Sequence, residues 1–281
     1  CCERTAVSHR LLLDFIKING GTCMITAASN SRIKRLVQLN QKSKLRRTED
    51  VFLAEGVKMF LEAPREQLQE VYVSESFLEK CSCREHLEEV GYEVVSDSVF
   101  SKISDTCTPQ GVLCVLKQFH YNIEEMLRDK APLFLLLENI QDPGNLGTML
   151  RTGEGAGVSG IIMSRDTVDL YNPKVIRSTM GSIYRVPFYY ADDFAAAVHQ
   201  VQQAGVSVYA AHLRGKNSYA CQDYTKGTAF LIGNEGNGLR EETAELADCY
   251  IRIPMEGKVE SLNAAVASSI LMYEAHRQRA I

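Results

Sequence analysis

No apolar run in the 281-residue chain reaches the roughly 18 residues that a membrane-crossing helix needs. The two best candidates fail for different reasons: Leu133 to Leu137 is too short, and Ala264 to Met272 is too rich in small polar residues. An integral helical membrane protein is excluded. Metal-ligand spacing is missing as well. Of nine cysteines, Cys1 and Cys2 are adjacent, Cys81 and Cys83 form a C-x-C near His86, and Cys23, Cys107, Cys114, Cys221 and Cys249 are scattered. No second ligand pair stands near the C-x-C, so the expectation is no metal and reduced thiols in a cytoplasmic protein. A secretory leader is not apparent either, because LLLDFI is interrupted by Asp14, and Glu3 and Asp14 argue against a transit peptide. Residues 1–23 read as a leader or non-native extension, with Met24 as a plausible start.

What is present is an ordinary globular composition. With 45% hydrophobic residues, a chain of this length fills two average domains without disulfide staples. The net charge of -4 speaks against a protein basic all over. Between Asn30 and Phe60, however, eight basic residues face three acidic ones. A basic face on an acidic chain is the footprint of a polyanion partner, and a solvated helix face is the competing explanation. Charge alone does not separate the two.

Apolar periodicity predicts a basic amphipathic helix from Ser31 to Asn40, a basic loop through Lys44, Arg46 and Arg47, and a strand at Val51 to Ala54. A helix through Met59, a strand at Val71 to Val73, a charged helix from Phe77 to Val90 and a strand at Glu93 to Val95 follow. A short helix capped by Ser96 or Asp97 and a strand from Gly111 to Leu116 complete a small α/β domain over residues 24–119. Residues 120–131 read as a linker. The second domain, 132–281, opens on Leu133 to Leu137, whose continuous apolar character suits a parallel strand covered on both faces. Asp142-Pro143-Gly144 forms a turn, with Asn145 capping a helix to about Ala156. Further strands are expected at Gly160 to Met163, Val186 to Tyr189, Val206 to Ala210, Ala229 to Ile232 and Tyr250 to Ile253. Helices are expected from Asn172-Pro173, over Asp192 to Ala204, over Leu239 to Ala247 and from Leu262, the last capped by Ser261. The fold class is α/β with a parallel sheet.

GAGVSG at Gly155 to Gly160 spells the dinucleotide fingerprint, but a helix precedes it and a strand follows, the reverse of the order that fingerprint needs. An oxidoreductase is disfavoured, and Gly155 or Gly157 is better placed as a left-handed helix cap. Three constellations carry more. Asn139, Asn145 and Arg151 follow the first apolar strand, with Asn145 and Arg151 roughly 9 Å apart along a helix; the competing explanation is a surface arginine paired with Glu154. GNEGNG, Gly233 to Gly238, allows close backbone approach to a ligand and holds one carboxylate, Glu235. It lacks the lysine and hydroxyl of a phosphate loop, which favours a ligand with few negative charges. IPMEGKVESLN, Ile253 to Asn263, leaves the next strand end, and each of these loops taken alone is equally a tight turn.

FLLLENIQDPGNLGTMLRTGEGAGV, FLIGNEGNGLREE and IRIPMEGKVESLNAAVASSILMYEAHRQR, in this order, resemble the three signature motifs of the SpoU family of RNA ribose 2'-O-methyltransferases, in the SPOUT superfamily. SKLRRTEDVFLAEG is similar to the small RNA-binding domain that precedes the catalytic domain in many members. The resemblance implies a knotted parallel-sheet SPOUT domain behind a small α/β RNA-binding domain, working as a homodimer with S-adenosylmethionine as methyl donor and no metal. It places donor contacts at Gly233, Ile253 and Leu262, and polar site positions at Glu235, Ser261 and Asn263. Asn145 and Arg151 match the first-motif pair, with Arg151 central to catalysis. Arg32, Arg35, Lys44, Arg46 and Arg47 are the expected RNA contacts. Small residues of the last helix, Ala264, Ala265, Ala267, Ser268 and Ser269, are expected to permit close packing at a dimer interface. Ribosomal RNA is the expected substrate, with transfer RNA and a non-catalytic RNA-binding role as alternatives.

Overall fold

The structure, a computed structural model, describes residues 15–17 and 23–280. Most of the extension read over residues 1–23 therefore lies outside the described residues. The chain divides into two compact units: one runs to Gln118 and takes in Tyr171–Arg177, and the other comprises Phe119–Leu170 with Ser178 onward.

The first unit is built on a six-stranded mixed sheet of β1 (Phe15–Lys17), β2 (Cys23–Ile25), β3 (Val51–Glu55), β4 (Leu68–Ser74), β5 (Glu93–Val95) and β6 (Val112–Lys117), ordered β1-β2-β5-β4-β6-β3. The helix Ser31–Gln41 buries Ile33, Leu36 and Leu39 in a core with Leu53, Tyr72, Phe100 and Val115, which is what its apolar spacing demands. The basic loop expected after it is a helix, Ser43–Glu49, closed by a left-handed Asp50. Leu45 packs against the same core and Arg46 is buried, and these contacts override a locally polar composition. The charged helix expected over Phe77 to Val90 is two helices, Glu75–Lys80 and Arg84–Val90, broken where Cys81 turns extended in a C-S-C stretch of low helix propensity.

The second unit holds a seven-stranded parallel sheet. Its strands are β7 (Leu133–Leu137), β8 (Gly160–Ser164), β9 (Phe188–Ala191), β10 (Ser207–Ala211), β11 (Asn217–Ser218), β12 (Thr228–Ile232) and β13 (Cys249–Arg252), ordered β11-β13-β10-β12-β7-β8-β9. Every pairing in it is parallel. β7 and β12 are neighbours in the middle and wholly buried, as continuous apolar runs covered on both faces must be. β9 starts two residues later than the apolar pattern suggests, because Pro187 has no N–H for the ladder and contributes only its carbonyl, to Ile161 N. The last helix, Ala264–Arg279, buries Ala264, Ala265, Ser268, Leu271, Met272 and Ala275. Its small residues thus pack within the protomer, with Ser269 Oγ 3.4 Å from Thr152 Oγ1 on the helix Pro143–Ala156. Of the five, Ala264, Ala265 and Ser268 are buried in this packing and Ala267 and Ser269 are half-buried. No helix among the described residues is long and apolar enough to cross a membrane.

Candidate functional site

The C-terminal ends of β7, β12 and β13 release three loops, and in an open parallel sheet ligands collect at such ends. A cavity of about 320 Å³ opens there, within the range of about 300–1,000 Å³ typical of small-molecule sites. Its lining includes the backbone of Gly233–Gly238 and the apolar side chains of Ile232, Ile251, Ile253, Leu262 and Leu271. Ser261 and Glu235 line it too, with His212 and Leu213 from the loop after β10.

Glycine is required at the entrance to the loop. A Cβ on Gly233 would stand 2.2 Å from both the carbonyl carbon of Gly238 and the nitrogen of Leu239. The chain doubles back there, Asn234 and Gly238 exchanging two backbone hydrogen bonds of 3.0 and 2.9 Å, and Gly238 takes φ +70°. The helix expected over Leu239 to Ala247 shrinks to Glu241–Ala244, because the left-handed Gly238 and the extended Arg240 hold the preceding residues out of helical geometry.

At the rim, side chains from all three loops join. Glu235 accepts from Gln141 N at 3.1 Å, from Asp142 N at 3.0 Å and from Asn145 Nδ2 at 3.0 Å. Asn263 Nδ2 donates to Asn145 Oδ1 at 2.9 Å. Two caps differ from the sequence expectation, and the difference makes this chain possible. Asp142, not Asn145, caps the helix Pro143–Ala156, accepting from Asn145 N at 2.7 Å. Asn263, not Ser261, caps the last helix, accepting from Ala265 N and Val266 N. Asn145 is thereby left free to bridge, and Asn263 does both tasks with its two amide atoms. Burial pushes the Glu235 carboxyl up, but the hydrogen bonds from Asn145, Asp142 and Gln141 outweigh it and hold the group below the ordinary glutamate value.

Arg151 projects from the same helix, exposed, without a hydrogen bond or ion pair among the described residues. The competing pairing with Glu154 does not form: that carboxylate takes Ser182 Oγ at 2.5 Å and the Arg185 guanidinium instead. Gly157 ends the helix in the left-handed region at φ +77°, so GAGVSG is a helix exit.

The basic residues fare unevenly. Lys44 and Arg47 are exposed. Arg32 pairs with Glu93 at 2.6 Å, and Arg35 bridges Glu49 and Glu70 at 2.7 and 2.8 Å. Arg46 is buried at 3% exposure and donates to the carbonyls of Leu39 and Asn40 at 2.6 and 3.2 Å. It belongs to the core of its unit and is withdrawn from the RNA contacts.

A second polar cluster gave no sequence signal. Glu138, directly after β7, is buried at 1% exposure and accepts from Arg240 N at 2.8 Å and Thr243 Oγ1 at 2.5 Å. The Arg240 guanidinium also pairs with Asp166, whose other oxygen takes Ser164 Oγ. In sequence Glu138 looks like the first solvated residue beyond an apolar strand, and nothing in its neighbours marks it otherwise.

Comparison with known proteins assigns this arrangement. Residues 132–273 match the SpoU rRNA Methylase family, and residues 30–114 match the MRM3-like substrate binding domain. The chain belongs to the SpoU family. Among relatives of this SpoU chain, the 23S rRNA (guanosine(2553)-2'-O)-methyltransferase RlmP of Bacillus subtilis is 32% identical over 89% of this chain and 97% of the relative. The crystal structure of an AdoMet-bound rRNA methyltransferase from Sinorhizobium meliloti superposes with a TM-score of 0.78 at 30% identity, covering 90% of this chain and 97% of that one. The SpoU methyltransferase AviRb from Streptomyces viridochromogenes, solved with AdoMet, gives 0.81 at 26% identity, covering 89% and 98%. The SpoU chain is thus an enzyme of the methyltransferase class with a SPOUT-type fold behind a small N-terminal domain.

Proposed function

We propose that this protein transfers a methyl group from S-adenosylmethionine to a ribose 2'-hydroxyl of ribosomal RNA. The observation that carries the reading is the Asn263–Asn145–Glu235 chain, which ties the three family motifs together at the mouth of a glycine-built cavity. The cavity suits the donor. It offers backbone polar groups and apolar walls, with Glu235 at its rim, which fits a largely apolar ligand carrying one sulfonium charge. Gly233, Ile253 and Leu262 would hold it, with Ser261 at the edge. When bound, the donor supplies an activated methyl that needs neither metal nor covalent enzyme intermediate.

The remaining work is alignment and proton removal. Aligning two reactants is worth roughly 7 to 11 kcal/mol in favourable cases. Asn145 and Asn263 fix the helix Pro143–Ala156 against the loop before the last helix, and Arg151 on that helix is left unpaired to grip the phosphate beside the reacting ribose. A guanidinium holds its proton and is a poor base, so the role of this arginine is positioning of the hydroxyl. The hydroxyl proton passes to water as the new C–O bond forms and the donor's C–S bond breaks, leaving S-adenosylhomocysteine. Glu235 is committed to three hydrogen bonds and serves to hold Asn145.

The small domain through residue 119 docks RNA by phosphate contacts, with Lys44 and Arg47 as principal contacts and Arg32 and Arg35 available only by exchanging their carboxylate partners. The catalytic domain from residue 132 carries the trefoil knot of its family, a reading supported by the strand order and by the return of the last helix onto Pro143–Ala156. The active form is a homodimer, supported by Val266 and Tyr273, which stay 48% and 49% exposed on the last helix. The compartment is cytoplasmic. The test is transfer of labelled methyl from S-adenosylmethionine to ribosomal RNA, with mapping of the 2'-O-methylated nucleotide; a transfer-RNA product in its place redirects the substrate, and no transfer to any RNA overturns the reading.

A further inference from the structure

The glycine-rich loop, residues 233–240, supplies much of the cavity wall, yet it has few apolar contacts to hold it. Leu239 is its one buried large side chain, while Glu235, Gly236, Asn237, Gly238 and Arg240 are exposed. Its two ends are tied to one place, the dipeptide that leaves β7. At the start of the loop, Asn234 Nδ2 donates to Asn139 O at 2.8 Å. At its end, Arg240 N donates to Glu138 Oε2 at 2.8 Å, and Thr243 Oγ1 donates to Glu138 Oε1 at 2.5 Å. Glu138 is itself held through its own backbone, its N–H donating to Ile232 O at 2.9 Å. Its side chain is 2% exposed, so these bonds compete little with water.

We propose that Glu138 is the positioning residue of the donor site, fixing the glycine-rich loop in the conformation that receives S-adenosylmethionine. This rests on the donor reading of the cavity. The carboxylate acts on the short helix Glu241–Ala244 as a cap supplied from another strand, satisfying an N-terminal N–H and a first-turn hydroxyl together. Without it, the loop keeps its own turn, Asn234 with Gly238, but loses the attachment that sets where that turn stands. The Arg240 guanidinium adds less. Its contact to Glu138 is long, at 3.5 Å, and its pairing with Asp166 is solvent-exposed.

The test compares wild type with Glu138→Gln, Glu138→Leu, Thr243→Val and Arg240→Ala. Three quantities are read: S-adenosylmethionine affinity by calorimetry, amide hydrogen exchange of residues 233–240 in donor-free protein, and kcat at saturating donor. Loss of the buried charge-assisted bonds in Glu138→Leu lowers donor affinity about tenfold or more. Exchange at the Arg240 amide, which loses its acceptor, rises, and kcat stays within about threefold of wild type, because the groups at the reacting hydroxyl are untouched. Glu138→Gln, which keeps one acceptor, recovers part of the affinity, and Arg240→Ala loses less than Glu138→Leu. A folded Glu138→Leu with wild-type affinity and loop exchange overturns the proposal. If Glu138→Leu does not fold, unchanged affinity and exchange in both Glu138→Gln and Thr243→Val overturn it. A wild-type protein that binds no donor defeats the reading of the cavity instead, while the exchange comparison still decides whether Glu138 fixes the loop.

Discussion

Asn263 Nδ2 donates to Asn145 Oδ1 at 2.9 Å, joining the cap of the last helix to a residue 118 positions earlier. Asn145 passes the connection on to Glu235, so one amide links the third loop to the other two, which Gln141 N and Asp142 N also join through Glu235. Asn145→Ala removes both links while leaving the Asp142 cap in place. The variant is expected to fold normally and to lose methylation about a hundredfold, the usual consequence of a misplacement near 1 Å. Wild-type activity in single-turnover assays would show that the amide bridge is incidental.

The pH dependence of Glu235 follows from its surroundings. Burial pushes the carboxyl up, and hydrogen bonds from Asn145, the backbone of Asp142, its own backbone and Gln141 pull it further down, to a value below the ordinary 4.5. A depressed acid contributes stability that is complete above its unfolded value and is lost as the pH falls through its folded value. The melting-temperature gap between wild type and Glu235→Gln should therefore be constant from neutral pH down to about the ordinary glutamate value, then close at more acid pH. A gap that closes near neutrality contradicts the assignment.

Gly233→Ala puts a methyl group 2.2 Å from two backbone atoms, which cannot swing aside as a flexible side chain would. Overpacking of this kind costs about 1–3 kcal/mol, and here it opens the turn that forms the cavity wall. Chemical denaturation should show that loss, and calorimetry should show donor binding abolished. Retained binding would mean that the loop tolerates displacement.

Arg46 and its exposed neighbours separate stability from docking. Arg46→Ala removes a buried guanidinium from two main-chain carbonyls and is expected to cost about 2 kcal/mol of stability. Lys44→Ala and Arg47→Ala should leave stability within about 0.5 kcal/mol. Each should flatten the dependence of log RNA affinity on log salt by about 0.7 to 0.9 for a lost phosphate contact. An unchanged slope in both returns this face to simple solvation.

Much of the second sheet is legible because burial on two faces leaves a plain mark: Leu133–Leu137 has the bounds that its composition predicts. The glycine loop was legible because close backbone approach demands glycine. What escaped the sequence depends on partners far along the chain. Asn145 and Ser261 both have the right chemistry for a cap, and only the fold decides that Asp142 and Asn263 take those places. Arg46 reads as docking charge because charge is visible in sequence and burial of an arginine is not. Glu138 was missed for the same reason: its partners, Arg240 and Thr243, lie about a hundred residues away.

The central claim is that a donor held at the glycine-built cavity methylates a ribose positioned by Arg151. Its most direct test measures labelled-methyl transfer to ribosomal RNA and S-adenosylmethionine affinity side by side, for wild type and Arg151→Ala. The account predicts transfer to a single ribose 2'-oxygen by wild type, and loss of transfer by Arg151→Ala with donor affinity nearly intact. Full transfer by Arg151→Ala, or a matching loss of donor affinity, would contradict it.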